Sequence, residues 1–338
     1  MSSTVIVDAM GGDFSPAVSV EASIQFCNEN KKSSIILVGN EKEIFQHLGK
    51  TVIPNNLEIH HAPEVIFMDE KPSIAYRQKP KSSIHVGLEL LKEGKGDAFF
   101  STGNTGAVIT TAYFALGLLP NITRPALSIM FPAQNGHKVV FLDLGATVDP
   151  KPEHLRDFAH MGEAFSCFVT EKRNPKVSIL SVGQEEGKGN ALVIETAKLI
   201  KDSVNYAGFI EGNHLLSNED IDVVVTDGFT GNVTLKTIEG LTETIYSLLK
   251  ARITPYSGWL KLHKILIKKF FASTFSRFDY SLYGSSVVLG VNKLVGIGHG
   301  RSNVTAFKTG IQTLSIYAEN NFIDHFSKRV AEKSEKSQ

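Results

Sequence analysis

Short runs of apolar, often β-branched residues alternate with longer segments of helical periodicity along this chain. Several of the runs are apolar at consecutive positions, as strands buried on both faces are. The six clearest runs are Val5–Val7, Ile35–Val38, Ala98–Phe100, Val139–Leu142, Val177–Leu180 and Val223–Val225. Helical patterns lie between them, for example at 152–168, 190–201 and 232–250. This alternation predicts an α/β fold with a mostly parallel, doubly wound sheet and helices on both faces.

The composition is that of a globular protein, and it narrows the range of partners. The 338 residues are 42% hydrophobic, and 35 Lys and Arg residues balance 35 Asp and Glu residues. This neutral balance gives no electrostatic support for nucleic-acid binding. The two cysteines, Cys27 and Cys167, provide no disulfide framework and fit a reducing cytoplasm. We expect one cytoplasmic α/β domain over residues 1–330 and a frayed polar tail at 331–338.

Four of the predicted strands end in loops rich in glycine, asparagine and aspartate. The loops span residues 8–13, 101–106, 143–149 and 226–232. Ligands bind beyond the carboxyl ends of parallel strands, so we expect the four loops to meet at one edge of the sheet and form a site. The loops at 101–106 and 226–232 each lead into a helix, whose first N–H groups can bind an anion. The alternative is that these residues only form turns and helix caps.

Several familiar catalytic motifs are absent from the sequence. It contains no P-loop, no dinucleotide-binding fingerprint after the first strand and no nucleophile elbow. His60 and His61 lack cysteine or carboxylate partners at zinc-ligand spacing, so we expect no metal site. Taken alone, the residues support an α/β enzyme that handles phosphate or nucleotides.

Motifs spread over nearly the whole chain resemble those of the PlsX family of phosphate acyltransferases. Their order and spacing match as well as their residues. The motifs are VDAMGGD (7–13), MDEKPS (68–73), GNTGA (103–107), LDLGA (142–146), KPEHL (151–155), EEGKGN (185–190), DGFTGNV (227–233) and DYSLYG (279–284).

The resemblance implies an activity, a fold and a set of partners. The enzyme would transfer a fatty acyl group from acyl-acyl carrier protein to inorganic phosphate, giving acyl phosphate for phospholipid synthesis. It would need no cofactor, form a homodimer and have a fold similar to isocitrate and isopropylmalate dehydrogenases. The downstream glycerol-3-phosphate acyltransferase is a further candidate partner. Two alternatives stay open: a phosphotransacetylase-like enzyme that uses acyl-coenzyme A, and a non-catalytic acyl-carrier or lipid-binding scaffold.

The residues suit this reaction because the chemistry needs little beyond anion binding. Phosphate is already largely dianionic near neutral pH, and a thiolate leaves more readily than an alkoxide. The enzyme must then align phosphate with a carbonyl carbon and stabilise the oxyanion. We assign catalytic roles to Lys188, Asn104, Asp227 and Asn232. His85 and His299 are possible acids, and for each we favour a structural role. The candidate substrate-binding residues are Asp8, Gly11, Gly12, Lys71, Arg77, Ser101, Gly103, Thr105, Gly106 and Gly231.

One segment, at about 252–278, suggests a location for the protein. From Lys250 to Arg277 there are seven Lys or Arg residues and no Asp or Glu. On a helical wheel one side is apolar and the other carries lysines, as in helices that lie on anionic membranes. We therefore expect a protruding amphipathic helix and peripheral membrane association; the alternative is a helix packed on the protein or on a dimer partner. The predicted membrane contacts are Trp259, Leu262, Leu266 and Phe270.

Overall fold

The computed structural model describes residues 2–133, 136–218, 220–253 and 285–336. In this part of the chain, eleven strands form one sheet in the order β3-β2-β1-β4-β11-β10-β5-β6-β9-β7-β8. All six predicted runs are strands. The strands are β1 Thr4–Asp8, β2 Ser34–Gly39, β3 Leu57–His61, β4 Ala98–Ser101, β5 Ala126–Pro132, β6 Lys138–Leu142, β7 Lys176–Leu180, β8 Asn205–Ile210, β9 Val223–Val225, β10 Ser286–Leu289 and β11 Leu294–Ile297.

Ten α-helices and a short 3₁₀ helix at Gly212–His214 accompany the sheet in the described residues. The α-helices are α1 Ala17–Glu29, α2 Glu41–Leu48, α3 Pro72–Gln78, α4 Ser83–Lys92, α5 Thr105–Leu116, α6 Pro152–Thr170, α7 Ala191–Ile200, α8 Gly228–Ile253, α9 Val304–Glu319 and α10 Phe322–Lys336. The chain is helical as far as Lys336, whereas the sequence predicted a frayed tail from 331. Phe326 and Val330 are buried and attach α10 to the core, which explains why the helix continues.

The sheet separates two hydrophobic cores. Val5 and Val7 of β1 belong to the first core, with residues of α1, α6, α9 and α10, and Ile6 belongs to the second, with residues of α4 and α5. Successive strand residues point to opposite faces, so a strand buried on both sides must be apolar at every position. The mixed α/β fold with helices on both faces of a mostly parallel sheet is thus confirmed.

Strand direction reverses in the middle of the sheet. Strands β3, β2, β1, β4 and β11 are parallel to one another, and so are β6, β9, β7 and β8. Between the two sets, β10 and β5 pair antiparallel with each other and with their outer neighbours. The carboxyl ends of β1 and β4 therefore lie at the opposite edge from those of β6 and β9. The expectation that all four glycine-rich loops share one edge is wrong.

The predicted membrane-contact residues lie outside the described residues. Trp259, Leu262, Leu266 and Phe270 all lie within 254–284. Among the residues that the structure describes, no helix combines the length and hydrophobicity needed to cross a bilayer.

Candidate active site

A cleft of about 710 Å³ lies over the second core and brings together loops from both edges of the sheet. Its floor is apolar and comes from the central strands and from α8. Its walls carry polar and charged side chains from the loops after β1, β4 and β11 and from α8. The lining includes Asp13, Met68, Thr105, Gly106, Leu127, Ile129, Leu144, Gly145, Asn232, Leu235, Lys236, His299, Gly300, Arg301 and Ser302. The two sets of parallel strands run in opposite directions, yet loops from both sets line this one cleft.

The loops after β1 and β4 pack against each other at their glycines. The Ser101 hydroxyl donates to Asp8 Oδ2 at 2.6 Å and accepts from the Gly103 N–H at 3.0 Å. A Cβ on Gly11 would lie 2.5 Å from Asp8 Oδ2 and 2.6 Å from the Gly103 nitrogen. Position 11 requires glycine because the backbone of Gly103 lies too close to leave room for a side chain. Asp8, Gly11, Ser101 and Gly103, which we predict to bind substrate, hold these two loops together and are not among the residues that line the cleft.

Gly12 and Asp8 also take part in the packing between the loops after β1 and β4. Gly12 has a positive φ of 91°, and a Cβ on it would lie 2.7 Å from Thr102 Oγ1. Asp8 is fully buried, and burial raises the pKa of its carboxyl while the hydrogen bond from Ser101 opposes the shift.

Asn104, predicted to be catalytic, uses its whole side chain in structural hydrogen bonds. Its Oδ1 caps α5 by accepting from the Ala107 N–H at 3.0 Å. Its Nδ2 donates to the carbonyl oxygens of Phe67, Met68 and Glu70 at 2.9–3.2 Å. Asn104 thereby ties the loop at 67–70 to the start of α5. The two residues that follow, Thr105 and Gly106, do line the cleft as predicted for substrate binding.

The opposite wall is formed where the loop after β6 meets the start of α8. Asp143 is fully buried and accepts hydrogen bonds from four backbone N–H groups, yet burial raises the pKa of its carboxyl to about 6. A Cβ on Gly231 would lie 1.9 Å from the Asp143 carbonyl oxygen. Asp227 accepts from the Thr230 N–H at 2.8 Å and so caps α8. Of the residues predicted here, Asn232 alone has its side chain in the cleft lining.

The three positively charged residues that we predict in the site lie outside the lining of the cleft. Lys71, Arg77 and Lys188 are exposed, and none of them lines the cleft. Lys188 belongs to the loop between β7 and α7, where its backbone carbonyl accepts from the Ser181 hydroxyl. The cleft instead contains Lys236, which pairs with Glu239 at 2.8 Å, and Arg301, which lies 3.9 Å from Asp13.

The structure places His299, a possible acid for which the sequence favours a structural role, in the cleft. It follows β11 within the glycine-rich stretch 296–300 and lines the cleft. Burial lowers the pKa of its ring below the usual range. Its Nδ1 accepts from the Arg301 N–H at 3.1 Å, so a neutral ring carries its hydrogen on Nε2. By contrast, His85 is buried, bonds Ser82 at 2.9 Å and stacks on Tyr76, in line with a structural role.

Besides α8, two helices begin at the cleft, and both are capped by asparagine. Asn104 caps α5, and Asn303 caps α9 by accepting from the Ala306 N–H at 2.9 Å. Thr105 and Gly106 at the start of α5, and Ser302 and Ala306 around the start of α9, line the cleft. The first N–H groups of a helix have no intrahelical acceptor and carry partial positive charge. The cleft is therefore suited to an anion.

Known proteins resemble this chain over almost its full length. The family model described as "Fatty acid synthesis protein" matches residues 3–325. A phosphate acyltransferase of Myxococcus xanthus is 40% identical over 93% of this chain and 90% of its own length. One from Halothermothrix orenii is also 40% identical, over 94% of this chain and 96% of its own.

A solved phosphotransacetylase from Streptococcus pyogenes shares the fold. It covers 94% of each chain with a TM-score of 0.60 at 17% identity. The family match spans every glycine-rich loop of the cleft. The chain therefore belongs to the PlsX family of phosphate acyltransferases, enzymes that transfer an acyl group to phosphate.

Proposed function

We propose that the cleft transfers a fatty acyl group from acyl-acyl carrier protein to inorganic phosphate and so supplies acyl phosphate for phospholipid synthesis. The observation that carries this proposal is the division of the cleft into an apolar floor and a charged rim at which helices begin. Leu127, Ile129 and Leu144 form part of the floor, whereas the rim carries Arg301 and Lys236 together with the acidic residues Asp13, Glu239 and Glu243. A substrate pair made of an apolar acyl chain and an anion fits this division.

The residues of the cleft suggest how the reaction is catalysed. Phosphate bound near Arg301 and the starts of α5 and α9 has an oxygen available to attack the thioester carbonyl carbon. The carbon–sulfur bond then breaks, and the carrier thiol leaves as a thiolate with the electron pair. His299 lines the cleft beside Arg301 and is our candidate for stabilising the negative charge that develops on the carbonyl oxygen. Asn104, Asp143 and Gly231 act indirectly, by holding the walls in place.

The acyl donor can be determined by trapping the product. The protein is incubated with phosphate and either palmitoyl-acyl carrier protein or palmitoyl-coenzyme A, and acyl phosphate is captured with hydroxylamine. We expect the carrier-protein thioester to give a kcat/KM at least tenfold higher than the coenzyme A thioester. The reverse preference would identify a phosphotransacetylase-like enzyme, and absence of product with both would indicate a non-catalytic scaffold.

The remaining expectations concern the setting of the enzyme. We propose a homodimer of one catalytic domain with the dehydrogenase-like variant of this fold, bound at the membrane surface near the glycerol-3-phosphate acyltransferase. The membrane part rests on the sequence pattern around Leu266 and Phe270. Replacing both residues with Glu should release the protein from anionic vesicles in a sedimentation assay while turnover with soluble substrates persists. Retention of the double variant on vesicles would contradict membrane binding through this segment.

A further inference from the structure

A second cavity, of about 770 Å³, lies on the opposite face of the sheet from the cleft. Strand β5 contributes to both: Ile129 lines the cleft, and the next residue, Met130, lines the second cavity. Since successive strand residues point to opposite faces, the sheet separates the two spaces. The cavity is enclosed by the ends of α6 and α9, by α10 and by the start of β6. Its volume is in the range of small-molecule sites.

The floor of this cavity is apolar and partly aromatic. Met130, Phe168 and Tyr317 line it, and the rings of Phe168 and Tyr317 meet edge to face with centroids 5.5 Å apart. Ile316, on the same helix as Tyr317, leaves 49% of its surface exposed. These groups offer apolar surface against which a hydrocarbon chain can be buried.

The rim of the cavity is strongly basic. Lys138, Lys172, Arg173 and Arg329 line it, and Glu171 is the one acidic residue in the described lining. Lys172 and Arg329 are held in place by carboxylates buried behind them: Lys172 Nζ lies 2.6 Å from Asp222, and Arg329 Nη2 lies 2.7 Å from Glu163.

Two cations leave positive charge available at this rim, since the side chains of Lys138 and Arg173 are exposed. An anionic group at the rim would be attracted mainly by these two, because Lys172 and Arg329 are paired with buried carboxylates.

We propose that the second cavity binds a long-chain amphipathic anion, an acyl chain that ends in a carboxylate or a phosphate. The apolar floor alone would accept a neutral lipid, and the rim alone would accept inorganic phosphate. A ligand that satisfies both must carry a chain and a negative charge. The basic stretch between Lys250 and Arg277 of this chain is not a suitable occupant, because its charge has the same sign as the rim.

Calorimetric titration of the full-length protein tests the proposal. The ligands are laurate and dodecyl phosphate, each below its micelle concentration. Dodecanol, which has the chain without the charge, and inorganic phosphate, which has the charge without the chain, are the controls. We expect both amphipathic anions to bind at least tenfold more tightly than either control. Their relative affinity shows whether the rim prefers a carboxylate or a phosphate.

Variants with reversed charge test whether the amphipathic anions bind in the second cavity. The double variant Lys138→Glu, Arg173→Glu should weaken binding of the amphipathic anions at least tenfold while its turnover without them is unchanged. The variant Lys50→Glu, Lys201→Glu makes the same change of charge at exposed lysines outside both cavities and should bind like the wild type. Arg301→Ala changes only the cleft, so it should keep the binding that the Lys138 and Arg173 variant loses. Equal binding by the Lys138 and Arg173 variant, or loss of binding in Arg301→Ala, would overturn the proposal.

Discussion

Arg301 brings a permanent positive charge to the mouth of the cleft. Its side chain is 73% exposed and lies 3.9 Å from Asp13, a long contact that contributes little at an exposed site. A guanidinium also matches the geometry of phosphate better than a lysine does. Phosphate can therefore replace Asp13 as the partner of Arg301 without a large loss of structure.

Replacing Arg301 with Ala should raise the KM for phosphate and lower kcat/KM by about 100- to 1,000-fold, the range expected when a group that stabilises developing charge is removed. Arg301→Lys should recover part of the loss, and the melting temperature should stay unchanged. Lys188→Ala, at an exposed position outside the cleft lining, should have a smaller effect in the same phosphate titration. If Lys188→Ala is the more damaging of the two, the anion site lies nearer to the loop after β7.

Residue types in loops were predictable from the sequence, but the partners of those residues were not. Ser101 and Asp8 are 93 positions apart, and Asn104 bonds carbonyl groups that precede it by more than 30 positions. A short polar residue between glycines has the same pattern whether it meets a ligand or a neighbouring loop. For Ser101 and Asn104, the family resemblance marked positions that shape the site, and the fold decides which of them face the substrate.

At the scale of elements, buried parallel strands and long helices were the easiest to predict. The pattern at 152–168 corresponds to α6, Pro152–Thr170, and that at 232–250 to α8, Gly228–Ile253. Strands β5 and β10 were missed, although both lie in the centre of the sheet. Strand β10 has only four residues, and nothing local in its sequence specifies antiparallel pairing with distant strands. Missing these two strands is what led to the wrong prediction of a single loop edge.

A substitution at the start of α8 tests whether this wall of the cleft depends on the close contact between α8 and the loop after β6. Gly231→Ala would place a Cβ 1.9 Å from the Asp143 carbonyl oxygen, a backbone atom that cannot move aside cheaply. We expect a loss of at least about 1–3 kcal/mol in the free energy of unfolding, and lower activity because Asn232 shifts with the helix.

Gly240 is a matched control in the same helix. A Cβ at this position would meet nothing within 4 Å, so Gly240→Ala should stabilise the protein by about 0.5–1 kcal/mol through helix propensity. Urea denaturation of both variants measures the difference. Equal midpoints would show that the start of α8 is not packed tightly against Asp143.

At the scale of the whole molecule, the sheet keeps the catalytic cleft and the second cavity apart, and the first core ties the C-terminal helix to the rest. Helix α10 packs on α6 through Phe322 and Phe326, which share the core with Phe165. Buried charge accompanies this contact: Glu163 of α6 pairs with Arg329 at 2.7 Å and with Lys333 at 3.1 Å. The sequence pattern predicted α6 but not these pairs, because α10 reads as a polar tail until its contacts are known.

His160, on the same helix α6, should make the stability of the fold depend on pH. It is almost fully buried, and its Nε2 lies 2.9 Å from the Ser203 hydroxyl. Burial lowers the pKa of its ring to about 4, and the positive charges of Arg156 and Lys333 add to the shift. In the unfolded chain a histidine has a pKa of about 6.5. Below that pH the unfolded state takes up a proton that the folded state does not.

The contribution of His160 to stability is therefore fully present above pH 6.5 and is lost progressively as the pH falls toward 4. The expected slope is about 1.4 kcal/mol per pH unit between these limits. His160→Gln retains a group that can bond Ser203 and cannot titrate, so it should flatten the dependence by that amount. Urea unfolding at pH 7, 6, 5 and 4.5 measures the slope for wild type and variant, and His47→Gln, at an exposed position on α2, controls for removal of a histidine. Parallel curves for the wild type and His160→Gln would mean that His160 becomes protonated in the folded protein as readily as in the unfolded chain.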